Sequence, residues 1–378
     1  MYRKDMAIKK DLLYLDHNAT SILRPEVFAR MAEIFGSPYN ASSTHSMGRA
    51  AKVLLSEART TLSDTIHCRP EEVTFTSGGT ESNNLVLSSS WDQVFCSATE
   101  HDSIYKNDRS EKIPVLKSGV LDLGALEKKL ESKKEGKTLV SVHWANNETG
   151  VIQPIEEIVK IAHHYGAFVH SDGVQALGKT PLSFQGSGLD FLSLSAHKMG
   201  GPQGVGAIIG KKENALTPLF LGGGQEKSLR PGTENIAAIV GFGESLRHID
   251  LGVFKNLEKY HCALESELVQ FSKQHGRESV VIGKEARRSP NTTCFTSPET
   301  SNQSQLIYFD LKGVSVSIGS ACSSRSVKPS HVLKNMGLSE EIIGSAIRIS
   351  SGWNTTESDF VRFKKAWVTL FLKQDQPA

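Results

Sequence analysis

The chain has 378 residues, 38% hydrophobic and 22% charged, and its 43 basic and 41 acidic side chains leave a formal charge of +2. That length predicts two or three domains rather than one small core, and a charge so near balance gives no electrostatic reason to expect nucleic acid or an anionic membrane as partner. The opening MYRKDMAIKKDLLYL scatters charge through its apolar residues, and no later run approaches the roughly 18–20 apolar residues of a membrane span, so a cytoplasmic protein is expected.

From about residue 49 the pattern alternates between helical and strand periods. RAAKVLLSEARTTLSDTI (49–66) places Leu54, Leu55, Ala58, Leu62 and Ile66 at helical spacing, and VTFTSGG (73–79) reads as a strand running into glycines. TESNNLVLSS then opens a helix with Thr80 as its expected N-cap. Further strands are expected at VFCSA (94–98), IPVL (113–116), TLVSVHW (138–144), AFVHSD (167–172), FLSLSA (191–196) and VGAIIG (205–210). Helical stretches separate many of them, among them PIEEIVKIAHHYG (154–166), with Pro154 near its start and Gly166 past its end. Alternation of this kind predicts an α/β fold with a mainly parallel central sheet covered by helices.

The pattern changes after residue 250. A long helix over 253–276 precedes the shorter strands VVIG, TCFTS, VSVSI and AIRIS, and a last helix is expected near 356–373. The expected division is a large domain over 12–250 and a smaller α+β domain over 251–378, with the N-terminal segment 1–15 a candidate addition to the latter. Ser-rich SIGSACSSRSVKPS (317–330) reads as a loop.

Five cysteines, Cys68, Cys96, Cys262, Cys294 and Cys322, form no CxxC pair and have no metal-ligand spacing, so they read as free thiols and no metal site is expected. Four lie in apolar or helical surroundings, where cysteine is usually an inert small hydrophobe. Cys322, within GSACSSRS, reads as exposed.

The chemistry-bearing stretches fall at strand ends. SGGTES (77–82) puts glycines between a strand and a helix, a place where backbone N–H groups can cradle an anion, although it lacks the lysine of a P-loop. Asp172 ends a very apolar strand; it reads either as a helix cap or as an acid facing a buried cationic nitrogen. SAHKMGGPQG (195–204) sets Lys198 at a strand end beside glycines. Alone, that lysine reads equally well as a charge guarding a sheet edge. All three places lie at the same end of their strands, where ligands bind in open α/β sheets. An anion cradle, an acid for a ring nitrogen and an imine-forming lysine are together what pyridoxal phosphate requires. His197 and Ser195 are placed to donate to its phosphate.

YLDHNAT (14–20), FTSGGTESNN (75–84), TEH (99–101), NNETG (146–150), SDGVQALGK (171–179), SAHKMGGPQGVG (195–206), LRPGTEN (229–235) and SIGSACSS (317–324) together resemble the cysteine desulfurases of the NifS/IscS type, in order from about residue 12 to about 360. The resemblance implies a fold type I pyridoxal 5'-phosphate enzyme of the class V aminotransferase family, a homodimer that takes sulfur from L-cysteine and leaves L-alanine. It implies that Lys198 carries the cofactor imine, that His101 stacks on the ring and assists proton transfer, and that Asp172 pairs with the ring nitrogen. Gln175 and Asn147 would contact the cofactor oxygen and ring. Gly79, Thr80, Ser195 and His197 would meet the phosphate, and Thr233 would reach the phosphate of the neighbouring subunit. Arg348, with Asn147, would bind the substrate, the guanidinium clamping its carboxylate. Cys322 would receive the sulfur as a persulfide and pass it to an acceptor protein, for which an iron–sulfur scaffold is one candidate.

The chain departs from the family where Ser351-Gly352-Trp353 replaces LGR, which removes a basic residue, and where Arg325 enters the cysteine loop. Competing readings are another fold type I reaction, such as a selenocysteine lyase, a C–S lyase or an aminotransferase, and a non-catalytic scaffold that holds the cofactor. The GSACSS stretch argues against the first group, and the presence of Lys198, His101, Asp172, Cys322 and Arg348 against the second.

Overall fold

The computed structural model describes residues 12–211, 216–297, 299–319 and 329–373. In chain order its strands are β1 (Leu13–Tyr14), β2 (Val73–Thr76), β3 (Gln93–Ser97), β4 (Ser110–Ile113), β5 (Thr138–Ser141), β6 (Phe168–Asp172), β7 (Phe191–Ser195), β8 (Gly206–Gly210), β9 (Thr292–Thr296), β10 (Val314–Ser315) and β11 (Ala346–Ser350). Strands β2 to β8 form one seven-stranded sheet in the order β2-β8-β7-β6-β5-β3-β4. Strands β3 to β7 pair in parallel, and β8 runs antiparallel to both its neighbours.

Burial explains the parallel centre. Every residue of β5 and β7 is buried, as expected of strands with helices on both faces, and their runs TLVS and FLSLS supply apolar or small side chains to each side. The helix Ile155–His164 covers one face with Ile155, Ile158, Val159 and Ala162, the i, i+3, i+4, i+7 stripe of a core-facing helix. Its first turn holds Glu156 and Glu157, carboxylates that favour the helix dipole at its N-terminus. The helix Ile236–Arg247 is buried along nearly its whole length against the helices Pro25–Phe35 and Ser46–Ile66. Fully burying each such Leu, Ile or Phe contributes about 1.5–3 kcal/mol.

A second core gathers Leu13 and Leu15 with Phe254, Leu257, Phe295, Phe309, Ile347, Ile349, Phe363 and Trp367. It packs the antiparallel pair β9–β11 and the parallel pair β1–β10 against the long helix Leu251–Gln274 and the last helix Glu357–Lys373. Leu13 and Leu15 are therefore built into the same core as the last third of the chain. An isolated bridge from Asp16 to Ser350 ties this N-terminal stretch to β11, and a second, from Ser317 to Arg348, joins two stretches of the last third.

Local differences from the sequence reading have physical causes. The strand expected over IPVL is β4 at Ser110–Ile113, because Pro114 brings no N–H to a ladder and Val115 bridges Leu121 instead. VVIG (280–283) makes a single bridge, Val281 to Phe295, and no strand. The helix of the TESNN stretch is Gly79–Leu87, so its N-cap is Gly78 and Thr80 lies inside the first turn. Gly78 has φ +154°, a backbone conformation side-chain-bearing residues rarely adopt, which is why the cap is glycine rather than the usual hydroxyl or amide residue.

Candidate active site

A cavity of about 370 Å³ opens at the carboxyl ends of β2, β6 and β7, within the range of small-molecule sites. Gly79, Thr80, His101, Asn147, Asp172, Gln175, Ser195, His197, Lys198 and Arg348 all line it. The fold brings together residues from six separate stretches. Thr233 does not line it; it is exposed, in the segment between Arg230 and the helix Ile236–Arg247. Cys322 lies outside the described residues.

The corner under the cavity is built from backbone. A Cβ placed on Gly79 would lie 2.6 Å from Val174 Cγ2, and one on Gly206, which begins β8, would lie 2.7 Å from Gly78 Cα. No side chain fits there, so main chain closes directly on the site. The first-turn N–H groups of Gly79–Leu87 have no partner within the helix.

Lys198 sits in a single 3-10 turn, Ala196–Lys198, just past β7. Its Nζ donates to the backbone carbonyls of Asn18 and Ala19, both at 2.6 Å. Asp172, at the end of the neighbouring β6, accepts from the Val174 N–H at 3.0 Å and from Asn83 Nδ2 at 2.8 Å. His101 caps the short helix Asp102–Tyr105, its Nδ1 accepting from the Ser103 N–H at 3.2 Å. His197 Nδ1 is 3.1 Å from Thr20 Oγ1. Burial, then Lys198 and Lys179, push the His197 pKa down to about 4, so at neutral pH its imidazole is uncharged.

Arg348, in the middle of β11, crosses from the second core into this cavity. Its Nη2 donates to Asp16 Oδ1 at 2.6 Å and its Nη1 to the Asn147 carbonyl at 2.9 Å, and only 3% of the residue is exposed. Its Nε has no partner among the described residues. Asn18 Nδ2 also donates to the Asn147 carbonyl, at 3.2 Å, and to Thr292 Oγ1 at 2.8 Å.

Several residues of the site had not been singled out from the sequence. Lys179, 3% exposed, donates to Gln175 Oε1 at 2.7 Å and to Asn18 Oδ1 at 3.1 Å. Burial, then Lys198 and Arg348, hold its amine well below the usual lysine range. Glu100 accepts from both the backbone N–H of His143, at 2.7 Å, and its Nδ1, at 2.8 Å. Glu148 is fully buried, accepts from Ser330 Oγ at 2.6 Å, and is pushed up by burial. Lys179 ends the quoted SDGVQALGK, and its i+4 spacing from Gln175 on a buried turn was the available signal.

The arrangement sets an amine, a carboxylate, a guanidinium and a glycine-built helix start around one void. Among the described residues no cluster of His, Cys, Asp and Glu has the makings of a metal site, and no helix is long and apolar enough to cross a membrane.

The profile of the aminotransferase class-V family matches residues 13–363. The chain is 37% identical over 366 residues to the cysteine desulfurase IscS of Dictyoglomus turgidum, covering 92% of this chain and 91% of that protein. It is 37% identical over 366 residues to a cysteine desulfurase of Sinorhizobium fredii, covering 91% and 93%. The X-ray structure of a NifS-like protein from Rickettsia africae superposes with a TM-score of 0.88 at 39% identity, covering 95% of this chain and 99% of that one.

Proposed function

The chain belongs to the aminotransferase class-V family and, within it, to the cysteine desulfurases, and from that premise we propose that it takes the sulfur of L-cysteine, leaves L-alanine, and uses pyridoxal 5'-phosphate. The observation that carries the reading is the convergence of Lys198, Asp172, His101 and Arg348 on one cavity above the glycine corner.

The residues present fit that cofactor. Lys198 would hold its aldehyde carbon, Asp172 would face the ring nitrogen, and His101 would lie on the ring. Gln175 and Asn147 would meet the ring and its oxygen. The phosphate would meet the Gly79–Thr80 turn, Ser195 and His197, where Gly79 itself carries no side chain and its main chain faces the cavity beside Val174. When bound, the cofactor supplies an aldehyde carbon that links to amines and a ring that takes up the electron pair freed at the substrate Cα.

The chain's own groups do the remaining work. Lys198 presents its amine to the cavity, held by the Asn18 and Ala19 carbonyls, and the cations Lys179 and Arg348 share its surroundings. Arg348 binds the substrate carboxylate, and its hold on Asp16 and Asn147 fixes the plane of the guanidinium. Cys322 receives the sulfur: cysteine and the Cys322 thiol become alanine and a Cys322 persulfide, with every atom accounted for. An acceptor protein then takes that sulfur, an iron–sulfur scaffold being one candidate.

In this reading the enzyme is a cytoplasmic homodimer. Thr233 is exposed and outside the cavity of its own subunit, which suits a residue that completes the partner's phosphate site. The test is a product assay: purified holoenzyme given L-cysteine and dithiothreitol should yield alanine and sulfide in equal amounts, and borohydride should fix the cofactor to the peptide containing Lys198. Pyruvate and ammonia in place of alanine would assign a C–S lyase instead.

A further inference from the structure

We propose that Asn83 and Ser103 are positioning residues that hold His101 as the neutral imidazole with its proton on Nε2. The inference rests on the proposed cofactor role of His101 only for its consequence; the proton position follows from hydrogen-bond directions alone.

Those directions propagate from Asp172. Asp172 Oδ1 accepts from the Val174 N–H, and the amide of Asn83, 1% exposed, donates from Nδ2 to Asp172 Oδ2 at 2.8 Å. The same Nδ2 lies 2.9 Å from Ser103 Oγ, and its second hydrogen goes there. Turning the amide over would aim Oδ1 at the carboxylate, and Oδ1 has no other partner among the described residues to favour that. Ser103 Oγ therefore accepts from Asn83 and has one hydrogen of its own left. His101 Nδ1 lies 2.8 Å away, and because the hydroxyl also keeps a second lone pair, the nitrogen's own state sets which of the two donates. The backbone N–H of Ser103 points at the same nitrogen at 3.2 Å. A backbone N–H can only donate, so Nδ1 is an acceptor, the Ser103 hydroxyl hydrogen turns to it as well, and the ring proton sits on Nε2.

Taking up a second proton at Nδ1 would require Ser103 to swing its hydroxyl away and would set two N–H groups against each other. The lock thus makes His101 a proton donor through Nε2 and ties its tautomer, through two side chains, to the carboxylate proposed for the cofactor ring. The other charged groups lining the cavity, Glu100, Asp102, Glu148, Lys198 and Arg348, are left unchanged by substitutions at Asn83 or Ser103, so a comparison at one pH isolates the local donors.

The experiment is nitrogen NMR of holoenzyme carrying 15N-imidazole histidine at neutral pH, with the His101 signals assigned by their loss in His101→Gln. The parent should show a neutral ring protonated on Nε2. Ser103→Ala should move the equilibrium toward proton occupancy at Nδ1 by about tenfold, the size expected for one lost hydrogen bond. Asn83→Ala should shift it in the same direction, and Ser103→Thr, which keeps the hydroxyl, should restore the parent signals. A parent ring protonated on Nδ1, or signals unmoved by both Ser103→Ala and Asn83→Ala, would overturn the proposal. The measurement needs no turnover, so it stands or falls separately from the desulfurase assay.

Discussion

Lys179 donates to Gln175 Oε1 at 2.7 Å, one helical turn further along the chain, and so decides which end of that amide is left to the cavity. With Oε1 held by the amine, Gln175 Nε2 donates to the Asn18 carbonyl at 3.0 Å, and the amide offers the site a hydrogen rather than a lone pair. The same amine holds Asn18 Oδ1 at 3.1 Å, next to the carbonyl that anchors Lys198. Lys179→Met should keep the packing, release Gln175 Oε1 while Asn18 Oδ1 keeps Asn291, and weaken cofactor retention by about tenfold, as expected for losing a hydrogen bond of about 1 kcal/mol or slightly more. Equilibrium dialysis of the cofactor measures it, and unchanged retention would remove Lys179 from the site.

Arg348 meets Asp16 and Asn147 through separate nitrogens, which sets the guanidinium as a flat two-pronged donor. Arg348→Lys keeps the charge and loses the fork. The KM for cysteine should rise by about 10-fold to 100-fold, from one charge-assisted hydrogen bond of about 1.5–3 kcal/mol, with a smaller change in kcat. Steady-state kinetics would contradict the assignment if kcat fell and KM did not move.

Three buried histidines and the half-buried His197 resist protonation in the folded chain. Burial lowers His17 and His261 to about 3, and His170 and His197 to about 4. An unfolded histidine titrates near 6.5, so below that pH the unfolded chain binds more protons than the folded one. Their contribution to stability is complete above about pH 6.5 and is lost as pH falls from there toward 4. Urea unfolding midpoints should therefore drop steeply between pH 7 and pH 5, and equal midpoints would show that these rings protonate without unfolding.

Much of the sheet was legible because its strands are buried on both faces and announce themselves as apolar runs, and because glycine, aspartate and lysine mark the ends of β2, β6 and β7. The side chains that tie these ends together were harder to read. Asn83 resembles any polar residue early in a helix, and Lys179 any lysine near a glycine; only the fold shows that each is buried against a residue far away in sequence. Arg348 could be placed only by resemblance, since an arginine in a short strand normally reads as an edge charge. The Val280–Gly283 stretch has a strand's composition but makes one bridge, Val281 to Phe295, on the edge of β9 that β11 leaves open. For Thr233, neither reading supplies the contact, since its proposed partner belongs to a second copy.

That second copy gives a further test. Thr233→Ala should leave the chain dimeric while weakening cofactor retention by about 10-fold to 100-fold, for one charge-assisted hydrogen bond. Sedimentation of the parent as a monomer with full cofactor occupancy would end the shared-site account.

The central claim is that Cys322 carries the sulfur, and the other cysteines are poor candidates on physical grounds. Cys96 and Cys294 are buried, and burial raises Cys68 and Cys294 to about 12 and raises Cys96 as well, so little thiolate exists at any of them. Cys262 is exposed on the helix Leu251–Gln274, apart from the cavity lining. The direct measurement is mass spectrometry of parent and Cys322→Ser holoenzymes after incubation with L-cysteine without reductant. The account predicts one added sulfur on the parent peptide containing Cys322, released as sulfide by dithiothreitol. It predicts none on Cys322→Ser, which should keep its cofactor and lose alanine production. Alanine formed by Cys322→Ser at the parent rate, or added sulfur found on Cys68, Cys96, Cys262 or Cys294, would contradict it.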